Sequence, residues 1–112
     1  MRIKKGVRLN DLSPQVVVAV QIAEYCYEKY AHWNGIIEYD NELVVTSVND
    51  SRHSLTSLHH IGHAVDLRTQ NVTNPEKVRR EISDRLGLHY DVLLEVDHMH
   101  IEYQPRGRRA RG

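Results

Sequence analysis

Apolar positions along the chain fall into two recurrent spacings. Val16, Ala19, Val20, Ala23, Tyr27 and Tyr30 recur every three or four positions, which places them on one face of a helix. Ser13-Pro14 supplies its start, with a hydroxyl free to cap and a proline tolerated in the first turn, and the pattern fades near His32 to Gly35. A second helix is predicted from Asn74-Pro75, with Val78, Ile82 and Leu86 four apart and Gly87 as its stop. Residues 43–48 form a β-branched run bounded by polar residues, which suits a buried strand, and residues 49–56 read as a polar loop. Residues 64–68 predict a short strand in which Asp66 faces away from Val65 and Leu67. Two more extended pieces follow at 90–96 and 99–103, where His98, His100 and Glu102 alternate with Met99, Ile101 and Tyr103. The order of elements predicts an α+β fold, a small and mostly antiparallel sheet packed against helices.

Length and composition narrow this picture. A chain of 112 residues has the size of one small domain, read as residues 1–103 followed by a basic flexible tail at 104–112. With 40% hydrophobic and 27% charged residues, collagen-like, disordered and disulfide-scaffold classes are excluded. The longest aliphatic run, Val16 to Val20, is far short of the roughly 20 residues a membrane span needs, and no apolar stretch follows the basic start as an export signal requires. No membrane insertion is expected, and synthesis in the cytoplasm is. The single cysteine, Cys26, forbids an internal disulfide and a multi-cysteine metal site.

The formal charge is zero but segregated. Arg2, Lys4, Lys5 and Arg8 stand at one end without an acid, and Arg106, Arg108, Arg109 and Arg111 at the other, so all 15 acids lie between. Both ends are read as solvated. No base-reading motif or aromatic stripe accompanies the arginines, so no dedicated nucleic-acid site is expected, and the chain is read as a monomer. Tyr25, Tyr27 and Tyr30 are read as core or rim packing.

Histidine is the unusual count, eight in all. His53, His59, His60 and His63 cluster before Asp66, and a second polar cluster, Glu95-Val96-Asp97-His98-Met99-His100, follows about thirty positions later. A catalytic zinc site takes three imidazole or carboxylate ligands, leaves a position for water, and needs a carboxylate nearby to accept that water's proton. His59 and Asp66 converge only if the chain turns between them, which Gly62 permits, while Ala64 leaves space. Antiparallel pairing of the last strand with 64–68 would bring His98, His100 or both beside Asp66. His60 and His63 also have a surface reading, and His53 that of a loop residue. The spacing of His59 and His63 matches a helical ligand pair, which Gly62 disfavours.

Ser57-x-His59-x-x-Gly62-x-Ala64-x-Asp66 followed by Asp97-His98-x-His100 resembles the zinc peptidases that include D-alanyl-D-alanine carboxypeptidases and phage L-alanyl-D-glutamate endolysins, which share the hedgehog/DD-peptidase fold. The likeness covers roughly 43–104. It implies that His59, Asp66 and His100 hold Zn2+, that Asp97 is the general base, that His98 polarises the scissile carbonyl, and that Ser57 supports the site. Arg52 stands for the family's carboxylate-clamping arginine, whose usual position is not matched. Glu95 precedes His98 by the same three positions, so a shifted register with Glu95 as base stays open. The implied substrate is a peptidoglycan stem or crosslink peptide, with D-Ala-D-Ala and L-Ala-D-Glu both open as the bond. The implied setting is a lysin of phage or prophage type acting on the wall, or a non-catalytic zinc module of a virion.

Overall fold

The computed structural model describes residues 1–8, 12–33, 36–37, 41–49 and 63–105. Its elements run β1 (Arg2–Ile3), α1 (Pro14–Lys29), β2 (His32–Trp33), β3 (Ile36–Ile37), β4 (Val44–Asn49), β5 (Ala64–Arg68), α2 (Pro75–Leu86), β6 (Tyr90–Leu94) and β7 (His98–Tyr103). Among the described residues five strands form one sheet in the order β1-β4-β5-β7-β6, and β2 and β3 form a separate two-stranded pair. β1 joins β4 in parallel, and every other pairing in the main sheet is antiparallel. The protein is α+β.

Both helices end where their local chemistry stops them. The Ser13 hydroxyl accepts from the Val16 amide at the start of α1, and Pro14 is its first residue. α1 ends at Lys29, earlier than the expected His32 to Gly35, because the chain turns at Tyr30 and Ala31 into β2. Asn74 precedes α2 in the left-handed region at φ 49°, which asparagine tolerates, and Pro75 follows it. Gly87 closes α2 at φ 84°, where a side chain would be strained.

One face of the sheet is covered and apolar. α1 and α2 pack on each other and on the sheet, α1 against β7 and α2 against β6. Val16, Ala19, Ala23, Cys26 and Tyr27 of α1 and Val78 and Ile82 of α2 meet Val45, Val65, Leu67, Met99 and Ile101, all fully buried. Tyr27 is core and Tyr30 is partly buried against it, whereas Tyr25 is exposed beneath the Arg85 guanidinium. The Tyr27 hydroxyl donates to the Arg68 carbonyl at 2.9 Å, tying α1 to the end of β5. Burial pushes that hydroxyl's pKa up.

Two features go beyond the helix and strand pattern. Residues 2–3 are not simply solvated: the Arg2 amide donates to the Leu43 carbonyl at 2.7 Å and the Lys4 amide to Val45 at 2.9 Å, adding an edge strand. Asn41 is fully buried at φ 42°. Its amide donates to the Tyr27 carbonyl at 3.0 Å and its oxygen accepts from the Thr73 amide at 3.1 Å, joining α1 to the approach to α2. No helix among the described residues is long and apolar enough to cross a membrane.

Candidate metal centre

Strand alternation assembles the second, polar face. In β5 the buried Val65 and Leu67 point to the helices, so Asp66 and Arg68 take the opposite face. β7 runs antiparallel beside it with Asp66 opposite His100 and Arg68 opposite His98. Cross-strand partners on one face stand within side-chain reach, and residues 34 positions apart become neighbours. His100 Nδ1 lies 2.8 Å from Asp66 Oδ1, and His98 Nε2 lies 3.8 Å from the same oxygen.

β4 contributes through an irregularity. Its pairing with β5 shifts between Val45 and Ser47, so one extra residue, Thr46, is accommodated there. Ser47 Oγ then donates to Asp66 Oδ2 at 2.7 Å, and Thr46 Oγ1 to the Asp66 carbonyl at 3.2 Å. Partial burial raises the Asp66 pKa, but the hydrogen bonds from His100 and Ser47 outweigh it and hold the carboxyl below its ordinary value.

His100 is gripped on both ring nitrogens. Its Nε2 lies 2.9 Å from Glu102 Oε1, within hydrogen-bond distance, and both side chains are almost wholly buried. Glu102 in turn accepts from the Gln104 side chain. With both carboxyls ionised, contact with Asp66 and Glu102 together needs a proton or a cation at each ring nitrogen. Two N–H protons meet that need, and so does one N–H toward Glu102 with a metal ion between Nδ1 and Asp66. Metal-ligating histidines commonly have the second arrangement, with a carboxylate fixing the tautomer. Ligand atoms about 2.0–2.2 Å from a tetrahedral zinc stand about 3.3–3.6 Å apart, so this pair, 2.8 Å apart, would need to open by about 0.5–0.8 Å.

Among the described residues no three His, Cys, Asp or Glu groups are gathered closely enough to hold a metal by themselves. His59, the third expected ligand, lies outside the described residues, as do Ser57, Arg52, His53, His60 and the tail from Arg106. His63 is described and is not a surface residue: its ring is buried edge-on against Tyr103, with centroids 5.2 Å apart.

Asp97 stands just before β7 in the turn from β6, exposed, with Oδ1 2.8 Å from His98 Nδ1. The hydrogen bond from His98 holds its carboxyl below the ordinary value, so it is ionised at neutral pH. Asp97, His98 and Asp66 line a cleft of about 280 Å³ together with Lys4, Thr46, Arg68 and Gln70. Glu95 is not among the residues lining it, and its backbone amide closes the turn onto the His98 carbonyl at 2.8 Å.

Ser47 and Glu102 are the site residues that the sequence reading left without a role. Ser47 carries a weak signal, as a polar interruption of a β-branched run. Glu102 carries none, because a carboxylate on the polar phase of a strand reads as a solvated residue until something covers it. Comparison with protein-family models, curated proteins and solved structures finds no match for this chain.

Proposed function

We propose that the protein is a zinc-dependent metallopeptidase of the hedgehog/DD-peptidase fold, hydrolysing an amide bond in peptidoglycan stem or crosslink peptides. The observation that carries this reading is the facing of Asp66 Oδ1 and His100 Nδ1 at 2.8 Å, with the Asp97–His98 pair in the adjoining cleft. The sequence motif supports it independently by supplying His59 as a third donor of the right type.

In this reading Asp66, His100 and His59 hold the ion. Glu102 keeps the His100 proton on Nε2 so that Nδ1 offers its lone pair, and Ser47 turns the Asp66 carboxylate toward the same point. A bound zinc ion supplies Lewis acidity, polarising the scissile carbonyl and acidifying the attacking water. Asp97, ionised at neutral pH, accepts the water proton and passes it to the departing amine. His98, positioned by Asp97, donates a hydrogen bond to the oxygen on which negative charge develops. Arg52 and Ser57 keep their expected roles as substrate and support contacts.

A second reading has one observation in its favour. The Asp97 carboxylate is about two-thirds exposed and bonded to His98, an arrangement that a zinc-binding structural module would also permit. Turnover of purified peptidoglycan separates the two. The peptidase reading expects chelator-sensitive release of peptides that falls at least about 100-fold in Asp97→Ala, a loss in the range assigned to a general base, while bound zinc is retained. A wild type that binds zinc and releases nothing is a structural module. Full activity in Asp97→Ala with loss in Glu95→Ala moves the base to Glu95.

A further inference from the structure

The peptide unit between Arg68 and Thr69, at the end of β5, is bonded at both of its polar groups. Its carbonyl accepts from the Tyr27 hydroxyl at 2.9 Å, and its N–H donates to the Asp97 carbonyl at 3.4 Å. A peptide unit is planar, with C=O and N–H rigidly opposed, so whatever fixes the oxygen also sets the direction of the hydrogen. A donor on the oxygen also polarises the unit and strengthens donation by its N–H. Beyond that N–H lies the turn from β6 to β7, where Asp97 carries the carboxylate that meets His98 in the cleft. At the other end of the path the hydroxyl itself is firmly placed. Tyr27 is fully buried in the core, and its own carbonyl accepts from the buried Asn41 side chain at 3.0 Å. Burial pushes the phenol pKa up, so at neutral pH the hydroxyl keeps its proton and donates.

We propose that Tyr27 is a positioning residue for the general base: its hydroxyl, acting through the Arg68–Thr69 peptide unit, fixes the turn that presents Asp97 to the cleft. The role of Asp97 rests on the peptidase reading, whereas the path from Tyr27 to the turn rests on the geometry alone. The turn needs such a support. Val96 and Asp97 are both exposed, so apolar packing does little to hold them. The Glu95 amide, bonded to the His98 carbonyl at 2.8 Å, closes the turn on itself, and the Thr69 amide joins Asp97 to β5. A misplacement of about 1 Å can slow a reaction about a hundredfold. Loosening one bond of this path should therefore slow proton transfer while leaving the ligands of the ion where they are. Tyr90 makes the matching bond without the path. Its hydroxyl donates to the Gln15 carbonyl at 3.0 Å from the first residue of β6, at the far end of that strand from the turn.

The test compares Tyr27→Phe with Tyr90→Phe in the full chain, each of which takes one hydroxyl from a backbone carbonyl and keeps the ring. Amide hydrogen exchange of the zinc-free protein, followed by NMR, needs no activity. In Tyr27→Phe the Thr69 amide should exchange about tenfold faster relative to the Val65 and Ile101 amides of the same sheet, and in Tyr90→Phe that ratio should stay at the wild-type value. Hydrolysis by the zinc-loaded protein is then followed for a stem pentapeptide ending in D-Ala-D-Ala and for an L-Ala-D-Glu peptide. Tyr27→Phe should lower kcat about tenfold at unchanged KM and unchanged bound zinc, and Tyr90→Phe should lower none of them. On the Asp97→Ala background, where no carboxylate is left to place, Tyr27→Phe should have no further effect on the residual turnover. A Thr69 amide that is already unprotected in the wild type, unchanged Thr69 exchange in Tyr27→Phe, or a kcat loss that persists in full on the Asp97→Ala background overturns the proposal. Loss of protection confined to Thr69 in a chain that cleaves neither peptide refutes the peptidase reading and leaves the path from Tyr27 to the turn standing.

Discussion

The two faces of the β5–β7 pair are built from alternate residues of the same ten or so positions, yet they obey opposite rules. Toward the helices, Val65, Leu67, Met99 and Ile101 are fully buried in one hydrophobic core. Away from the helices, Asp66, His100 and Glu102 are linked through hydrogen bonds that each bring charge to a partly or wholly buried place. The first face stabilises by removing apolar area from water, about 25 cal/mol for each Å² buried. The second stabilises little, because the desolvation of its charges offsets their attraction. Its arrangement is explained by what the groups can hold between them, and the first face provides the rigidity that keeps them there.

Substitutions should therefore sort by face. Ile101→Ala, which empties a fully buried position, is expected to lower stability by about 2–5 kcal/mol while leaving zinc affinity per folded molecule unchanged, measured by denaturant unfolding and metal titration. On the polar face, Glu102→Gln replaces the charged acceptor that fixes the His100 tautomer with a neutral amide, which accepts more weakly and can present a donor instead. It should weaken zinc binding about 10–100-fold, equivalent to about 1.4–2.7 kcal/mol, with the thermal midpoint of the metal-free protein changing far less than in Ile101→Ala. If Glu102→Gln instead unfolds the chain at unchanged metal affinity, the division between the faces fails.

Asn41 is polar yet belongs to the apolar side. Asn41→Ala orphans the Tyr27 carbonyl and the Thr73 amide and should cost about 1–3 kcal/mol of stability without touching metal binding. The outer surface of the helices gives the smallest effect. Hydrogen bonds from Lys29, Tyr30 and Arg85 pull the Glu81 carboxyl down to about 2 from its ordinary 4.5. A depressed carboxyl pKa contributes stability that is fully present above the ordinary value and is lost as pH falls through the folded one. Glu81→Gln should therefore cost about 1 kcal/mol at neutral pH, and the gap to the wild type should close between about pH 4.5 and 2. A gap that persists at pH 2 would assign the effect to packing.

Much of this arrangement is legible in the sequence where a period dominates. The alternation in 64–68 and 98–103 predicts which side chains share a face, and the antiparallel pairing expected from it places a histidine beside Asp66, as the observed register of His100 opposite Asp66 does. Helix starts and stops at Ser13-Pro14 and Gly87 are equally local and were readable from capping chemistry. What escapes is set by tertiary contact. β1 is two residues long and its pairing with β4 is made of backbone bonds, to which side-chain patterns are blind. The shift in β4 that aims Ser47 at Asp66 depends on a partner strand twenty positions away. Lys4 enters the cleft only because β1 adds to the sheet edge, so its basic segment reads as a solvated end. Buried roles for Asn41 and Glu102 follow from what covers them, which composition does not encode.

Zinc titration of the zinc-free chain, with the metal followed by a chromogenic competitor and the fold by circular dichroism, asks whether Asp66, His100 and His59 hold one ion. One ion should bind per wild-type chain, and Asp66→Asn, His100→Gln and His59→Gln should each abolish that binding while remaining folded. Undiminished binding of one zinc ion in the folded Asp66→Asn and His100→Gln variants would contradict that ligand set.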